Sequence, residues 1–149
     1  MPVNSELVGR TFPPTPSYLV GREKVREFAR AVFADAPQHF DVAAAQSLGY
    51  ADVVAPPTFA MVIQDLTLQQ LLGEADSGIV LARTIHAEQK FAYTRPIVAG
   101  DELSAQLRVT GIRTMAGNAM ITSEAEITDA TGAHVVTATS VLLVGEDSE

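Results

Sequence analysis

The architecture of this chain follows from residues 56–73, which read PPTFAMVIQDLTLQQLLG. Pro57 suits the first position of a helix, because the N–H that proline lacks would have no intrahelical partner there. Gly73 ends the run, and the apolar residues between the two fall on most of the helix circumference. We therefore predict a helix from Pro57 that is enclosed by other structure instead of lying on a surface.

After this helix the spacing of apolar residues changes from helical to alternating, which is typical of β-strands. Alternation marks four segments, around Phe91 and Tyr93 and over residues 103–109, 121–127 and 135–141. Turn signals separate them at residues 95–101, 115–118 and 129–132. One buried helix followed by four antiparallel strands predicts an α+β hot-dog fold, in which a sheet curls around the helix. A generic α+β sandwich with helices on one face is the alternative.

The part of the chain before residue 56 predicts an extended arm and two further helices. Prolines are concentrated in the first twenty residues, which favours an arm ending in a strand at residues 18–20. Apolar residues three and four apart predict an amphipathic helix over Arg22–Phe33. A second, short helix is expected over Val42–Leu48, and residues 146–149 form an acidic tail.

Length and composition limit the possible classes of protein. A chain of 149 residues with 47% hydrophobic content predicts a single domain over residues 1–149. No apolar run approaches the ~18 residues that cross a bilayer, and residues 1–6 lack a signal-peptide layout, so we expect a cytoplasmic protein. The absence of cysteine excludes thiolate nucleophiles and cysteine-ligated metals. The three histidines lack metal-site spacing, so we predict no metal.

The distribution of charge also restricts the partners. A formal net charge of −8 argues against nucleic acid, because phosphate contacts need clustered basic side chains. Basic residues nevertheless form two groups, Arg22–Arg30 and Arg83–Arg113, with none between them. If the fold joins these groups, they would suit an acidic partner such as a phosphopantetheine carrier or a CoA phosphate. Ordinary solvated faces are the alternative interpretation.

Three segments resemble the MaoC-like (R)-specific hydratases and dehydratases. They are GREKVREFA at residues 21–29, GYADVVAPPTF at 49–59 and QKFAYTRPIVAGD at 89–101. The likeness is greatest to the A-type subunit of actinobacterial (3R)-hydroxyacyl-ACP dehydratases and its single-domain relatives. The resemblance implies an acyl thioester carried on CoA or phosphopantetheine, with no further cofactor. It also implies a site between two protomers, the partner being a second copy or a catalytic B-type hot-dog subunit.

Catalytic members of that family carry an Asp-x-Asn-Pro-x-His motif before the central helix, and its Asp and His activate water. Aligning His39 with the motif histidine puts Pro37 on the motif proline. Ala36 and Ala34 then occupy the asparagine and aspartate positions. Asp35 is one residue out of register and either replaces the missing acid or faces water. His39 is either a residual general base or an ordinary loop histidine.

The same alignment places Pro57 where catalytic members supply a backbone N–H to the thioester oxygen, and proline has none. Losing one such donor typically costs about 10²–10³ in rate. Thr58 is the candidate substitute, since its amide is among the free donors of the first turn, although it is first a helix-cap residue. We also expect Phe59 at the substrate site. His86 either lines the pocket or is a plain sheet-face residue.

Together these residues predict a component of a (3R)-hydroxyacyl-thioester dehydratase or (R)-specific enoyl-thioester hydratase of fatty-acyl metabolism. Its incomplete motif favours a substrate-binding subunit, with a non-enzymatic acyl-thioester-binding or scaffold subunit as the alternative. A third possibility is a hot-dog acyl-CoA thioesterase that uses Asp65 and Gln64 of the central helix. Against it, the helix carries a polar stripe that suits a partner or solvent, formed by Gln64, Asp65, Gln69 and Gln70.

Overall fold

The computed structural model of the protein describes residues 2–145; the expected acidic tail at residues 146–149 lies outside them. Within the described range the helices are α1 (Arg22–Ala31), α2 (Val42–Ser47) and α3 (Ala60–Leu72). The strands are β1 (Tyr18–Leu19), β2 (Thr84–Tyr93), β3 (Glu102–Met115), β4 (Asn118–Thr128) and β5 (His134–Val144). Short 3₁₀ turns occupy Ser5–Leu7, Pro37–His39, Pro57–Phe59 and Leu81–Arg83.

The strands form one antiparallel sheet in the order β1-β3-β4-β5-β2, and α3 packs against β3, β4 and β5. Inward-facing residues alternate along each strand, so that Ile121 lies opposite Leu142 and Ala125 lies opposite Ala138. All four are buried, as are Ile63 and Leu71 of α3. The predicted hot-dog fold, a curled sheet around a buried helix, is confirmed. No helix within residues 2–145 is long and apolar enough to span a membrane.

The central helix starts three residues later than predicted. Pro57–Phe59 form a 3₁₀ turn, closed by a hydrogen bond of 2.9 Å from the Phe59 amide to the Pro56 carbonyl, and the α-helix begins at Ala60. A residue that precedes proline is pushed away from helical angles, and Pro56 is extended with φ −57° and ψ 153°. The double proline therefore delays the helix and leaves Pro57 on a tight first turn.

The N-terminal arm lies along the outer edge of β3. The Phe12 amide donates to the Leu107 carbonyl at 2.9 Å, and the Thr15 amide donates to the Ala105 carbonyl at 2.8 Å. Leu7 and Phe12 of this arm have their side chains buried in the core. The arm thus satisfies backbone groups of β3 that would otherwise be unpaired, and it closes one side of the core.

The first helix is amphipathic as predicted, but it is shorter. Ala29 is buried, and Phe28 packs edge to face on Phe59 with ring centroids 5.3 Å apart. The expectation that Phe33 continues the apolar stripe was wrong, because Phe33 is 92% exposed and has φ 60°. This left-handed residue ends the helix and lets the Ala34 amide return to the Ala29 carbonyl at 2.8 Å.

The prediction of a polar stripe on α3 is also wrong at one position. Gln64 is fully buried, because it lies one helical turn from Ala60 and from Leu68, which face the core. Asp65 and Gln69 are exposed as expected, and their side chains form a hydrogen bond of 2.7 Å. The sheet therefore covers more of this helix than its amino-acid pattern suggests.

The two groups of basic residues make ion pairs with carboxylates of the same chain. Arg22 pairs with Asp52 at 2.9 Å, and Lys24 of α1 lies 3.7 Å from Glu27. In the second group, Arg95 pairs with Asp101 at 2.8 Å. These contacts compensate the charges of Arg22 and Lys24 in the first group and of Arg95 in the second, and for these residues they agree with the interpretation of ordinary solvated faces.

Candidate functional site

A cavity of about 490 Å³ opens beside the first turn of α3. Three separate parts of the chain form its wall: the 3₁₀ turn ending at His39, the segment 50–57, and the end of β2 with residues 94–97. The lining includes the proline Pro57 and the polar residues Gln38, His39, Tyr50, Tyr93 and Arg95.

The extended segment 53–55 holds these parts together. The Val54 amide donates to the Gln38 carbonyl at 2.9 Å, and the Ala55 amide donates to the Ile97 carbonyl at 2.8 Å. The Ala99 amide donates to the Val53 carbonyl at 3.0 Å. Prolines at 56 and 57 have no N–H with which to extend this ladder, so the strand-like pairing stops where the cavity begins.

His39 is held through one of its two ring nitrogens. Its Nδ1 lies 2.6 Å from the Val54 carbonyl oxygen, and the residue is 9% exposed. A carbonyl oxygen can only accept, so Nδ1 carries the ring proton. In neutral His39 the Nε2 atom then has a free lone pair, which is the form that a general base requires.

No carboxylate accompanies His39. Asp35 is exposed and is absent from the cavity lining, and the alanines at positions 34 and 36 supply no functional group. Among the described residues that line the cavity there is neither aspartate nor glutamate. The arrangement supplies a proton acceptor without the acidic partner that the Asp-x-Asn-Pro-x-His motif provides.

Tyr93, the last residue of β2, reaches the turn that precedes α3 and contacts Pro57, the residue without a backbone N–H. Pro57 lines the cavity, and the Tyr93 hydroxyl donates a hydrogen bond to the Pro57 carbonyl oxygen. Burial raises the pKa of Tyr93 to about 12, and a hydrogen bond with the backbone of Ala60 acts in the opposite direction. The phenol is therefore neutral at physiological pH.

The other residues expected at the helix start lie outside this lining. Thr58 is exposed, whereas Phe59 is fully buried against Phe28 beneath the turn. Of the residues from Pro57 to Phe59, the structure brings only Pro57 to the cavity wall. The roles predicted for Thr58 and Phe59 in substrate binding remain predictions.

The remaining histidines lie away from His39. His86 is exposed on β2, where its Nε2 is 2.9 Å from Gln89 Oε1, and it does not line the cavity. His134 begins β5, and its Nδ1 is 2.5 Å from Oγ1 of Thr94, a cavity residue. Within residues 2–145, no group of three or more His, Asp or Glu side chains is arranged to hold a metal ion.

Arg95 fixes two loops at the cavity wall. Its guanidinium binds Asp101 at 2.8 and 3.1 Å and Asp129 at 3.2 Å. Hydrogen bonds from the Thr131 hydroxyl first, and then from Arg95, lower the pKa of Asp129 to about 2. Because two carboxylates compensate its charge, Arg95 acts here as an anchor between residues 95–101 and 129–132.

Sequence reasoning did not single out Tyr50, Tyr93 or Arg95. Tyr93 and Arg95 lie in the segment 89–101 that carries the family resemblance, but strand alternation alone does not show which face of β2 meets the helix start. Tyr93 and Arg95 are more than fifty positions from His39 along the chain, and only the fold brings them to the same cavity.

A family described as "FAS1-like, dehydratase domain region" matches residues 6–138. The chain belongs to this family. A UPF0336 protein of Clavibacter michiganensis subsp. michiganensis is 59% identical to this family member over 149 residues, covering 99% of this chain and 100% of the relative. A UPF0336 protein of Streptomyces avermitilis is 45% identical over 143 residues, covering 96% and 95% of the two chains.

Solved structures agree with membership of the FAS1-like dehydratase-region family. A MaoC-like dehydratase superposes with a TM-score of 0.86 at 40% identity, over 93% of this chain and 42% of that longer one. The truncated HadBC (3R-hydroxyacyl-ACP dehydratase) complex of Mycobacterium tuberculosis gives 0.80 at 32% identity, over 92% and 96%. The (R)-hydratase of A. caviae gives 0.71 at 25% identity, over 94% and 96%. The resemblance to MaoC-like hydratases and dehydratases is confirmed.

Proposed function

We propose that this chain is a component of a (3R)-hydroxyacyl-thioester dehydratase or (R)-specific enoyl-thioester hydratase, and that it binds the acyl thioester in the cavity beside α3. The observation that carries the proposal is His39, whose Nδ1 is held by the Val54 carbonyl while the ring lines the cavity. This geometry presents a proton acceptor at the first turn of the central helix.

The chemistry needs more than one group. In the hydration direction a base takes a proton from water, and the water oxygen bonds to the β-carbon of the enoyl thioester. The electron pair moves onto the thioester oxygen, and the α-carbon is then protonated. Nε2 of His39 suits the removal of the proton from water. The described lining has no carboxylate that could protonate the α-carbon.

The proposal therefore includes a second hot-dog chain that supplies a complete Asp and His pair. Support comes from the HadBC complex, a 3R-hydroxyacyl-ACP dehydratase whose match covers 92% of this chain at 32% identity. A homodimer is the other assembly that we retain. In both cases the acyl group is carried on CoA or on a phosphopantetheine carrier.

A non-enzymatic acyl-thioester-binding subunit is the second candidate function. Exposed Asp35 and the proline at position 57 favour it, since neither provides the acid or the amide that a complete site requires. The thioesterase alternative receives no such support, because Asp65 is exposed on α3 and is not among the cavity residues.

The test is hydration of a short trans-2-enoyl-CoA, followed as loss of the conjugated double bond. The purified chain is assayed alone and after co-expression with the proteins encoded by neighbouring genes. We expect little activity from the chain alone and robust activity from the co-purified complex. Robust activity of the chain alone, abolished by His39→Ala, would show that no catalytic partner is required.

The matched control is His86→Ala, because His86 is exposed on β2 and lies outside the cavity. Its activity in the complex is expected to equal that of the unmodified chain. A complex that binds enoyl-CoA but never hydrates it would favour the non-enzymatic subunit.

A further inference from the structure

The 3₁₀ turn Pro57–Phe59, which directly precedes α3, has a deficit of hydrogen-bond donors toward the cavity. Pro57 has no N–H, and the Phe59 amide is already bonded to the Pro56 carbonyl at 2.9 Å. Thr58 does not line the cavity. A thioester oxygen that gains charge in this cavity would need a donor from another part of the chain.

Tyr93 is placed to provide that donor. The residue lines the cavity together with His39 and Pro57, and its hydroxyl already reaches the Pro57 carbonyl. Its backbone is fixed in the sheet, where Tyr93 pairs with Val136 of β5. The hydroxyl is therefore held at the N-terminal end of α3, where the helix field favours negative charge.

We propose that the Tyr93 hydroxyl donates the hydrogen bond that binds the thioester carbonyl oxygen, in place of the backbone N–H that Pro57 lacks. This inference rests on the proposed function of the cavity. When the thioester binds, the hydroxyl rotates about its C–O bond from the Pro57 carbonyl to the substrate oxygen. The proton stays on Tyr93 throughout, so the phenol stabilises the enolate oxygen without transferring a proton to it.

The protonation state of Tyr93 fits a donor. Burial raises its pKa to about 12, so the O–H is retained across the physiological range. Two other polar side chains of the cavity are already engaged, and Gln38 is a further polar residue of the lining. Thr94 Oγ1 is bonded to His134 at 2.5 Å, and Arg95 is bound by two carboxylates. Tyr50 also lines the cavity, and it serves as the competing candidate in the test.

The experiment compares Tyr93→Phe with Tyr50→Phe and with Tyr18→Phe, which lies on β1 outside the cavity. The probe is trans-2-butenoyl-CoA labelled with ¹³C at the thioester carbonyl, bound to the chain or to its co-purified complex. Its affinity is measured by calorimetry and its carbonyl stretch by infrared difference spectroscopy. Thermal melting curves confirm that each variant is folded.

We expect the bound carbonyl stretch to shift to lower frequency, and the shift to be largely lost in Tyr93→Phe alone. Affinity should fall about 2- to 10-fold, the effect of one neutral hydrogen bond. In an active complex kcat/KM should fall by about 10²–10³. Adding Pro57→Ala to Tyr93→Phe restores a backbone amide and should recover part of the carbonyl shift.

An unchanged shift in Tyr93→Phe, or loss of the shift in Tyr50→Phe instead, would overturn the assignment of Tyr93 and leave the proposed function standing. Failure of the unmodified chain and of its complex to bind the probe would instead overturn the proposed function. If Tyr93→Phe does not fold, 3,5-difluorotyrosine at position 93 replaces it. Its more acidic hydroxyl should enlarge the carbonyl shift, and an unchanged shift would again reject Tyr93.

Discussion

At the scale of single residues, the site lacks one carboxylate. His39 has its Nδ1 bonded and lines the cavity, but Ala34 stands at the position that the resemblance to MaoC-like proteins aligns with the motif aspartate. A side chain ending at Cβ cannot fix the imidazole or move a proton. Asp35 does not compensate from its exposed position one residue along the chain.

Restoring that carboxylate is the first prediction. We expect Ala34→Asp to give the lone chain measurable hydration of a short trans-2-enoyl-CoA, because an acid and a base positioned together typically contribute about 10²–10⁴ in rate. Initial rates of the purified variant provide the measurement. Asp35→Asn, which changes an exposed carboxylate, is the control and should leave the rate unchanged. If Ala34→Asp shows no activity, the absent carboxylate is not what limits the lone chain, and the prediction is wrong.

A second residue-scale prediction concerns Asp129. Its pKa lies at about 2, below the ordinary value of 3.8, so it stabilises the fold above the ordinary pKa. That contribution is lost as the pH falls from about 4 through about 2. Asp129→Asn should therefore lower Tm at pH 7, and the difference from the unmodified chain should shrink toward pH 2. Equal differences in Tm at pH 7 and pH 2.5 would contradict this assignment.

At the scale of elements, α3 buries a polar side chain whose hydrogen-bonding groups are not all satisfied. Gln64 is fully buried, its Nε2 lies 3.5 Å from the Ala138 carbonyl oxygen, and its Oε1 has no hydrogen-bond partner in the described structure. Such an unsatisfied acceptor costs about 1–3 kcal/mol. Ala60 and Leu68 lie one helical turn before and after Gln64. Both are apolar and have no side-chain groups that need hydrogen bonds.

We accordingly expect Gln64→Met to keep or raise the free energy of unfolding, by about 1 kcal/mol, since it removes the unsatisfied amide at similar volume. Ile63→Ala, a cavity-forming change on the same helix, should lower it by about 2–5 kcal/mol. Urea denaturation of the two variants and the unmodified chain measures both effects. A loss of more than 1 kcal/mol in Gln64→Met would mean that the amide makes hydrogen bonds to buried water, which the apolar residue cannot replace.

At the scale of the whole molecule, the N-terminal arm is part of the core. Phe12 is 5% exposed, and the arm bonds to β3 through backbone amides. Arg10 joins it to the loop after α3 through Asp76 at 2.9 Å. The sheet thus closes around α3 with the help of residues that precede every strand of the chain.

The resulting prediction is a pair of phenylalanine variants. Phe12→Ala should lower the free energy of unfolding by about 3–5 kcal/mol, because it empties a buried site under the arm. Phe33→Ala removes the same side chain from a position that is 92% exposed and should change it by less than about 0.5 kcal/mol. Chemical denaturation measures both. A similar small effect in the two variants would show that the arm contributes little to the core.

The fold was predictable from sequence because its signals are local. The all-round apolar pattern before Gly73, the alternation in residues 103–141 and the turn residues 115–118 each depend on neighbours within a few positions. The hot-dog architecture follows from them, the resemblance to MaoC-like proteins rests on the segments 21–29, 49–59 and 89–101, and both are confirmed. Local patterns failed at the ends of elements. Phe33 is exposed and α3 begins at Ala60, because helix ends depend on which backbone hydrogen bonds form there.

The sequence by itself determined which side chains are available: a histidine at position 39, alanines at positions 34 and 36, and a proline without an N–H at position 57. Only the tertiary structure decided which of them meet. It buried Gln64, left Asp35 outside the cavity, and placed the Tyr93 hydroxyl on the Pro57 carbonyl. The physical reason is that a sheet curling around a helix brings together residues far apart in the chain, and no local periodicity records that contact.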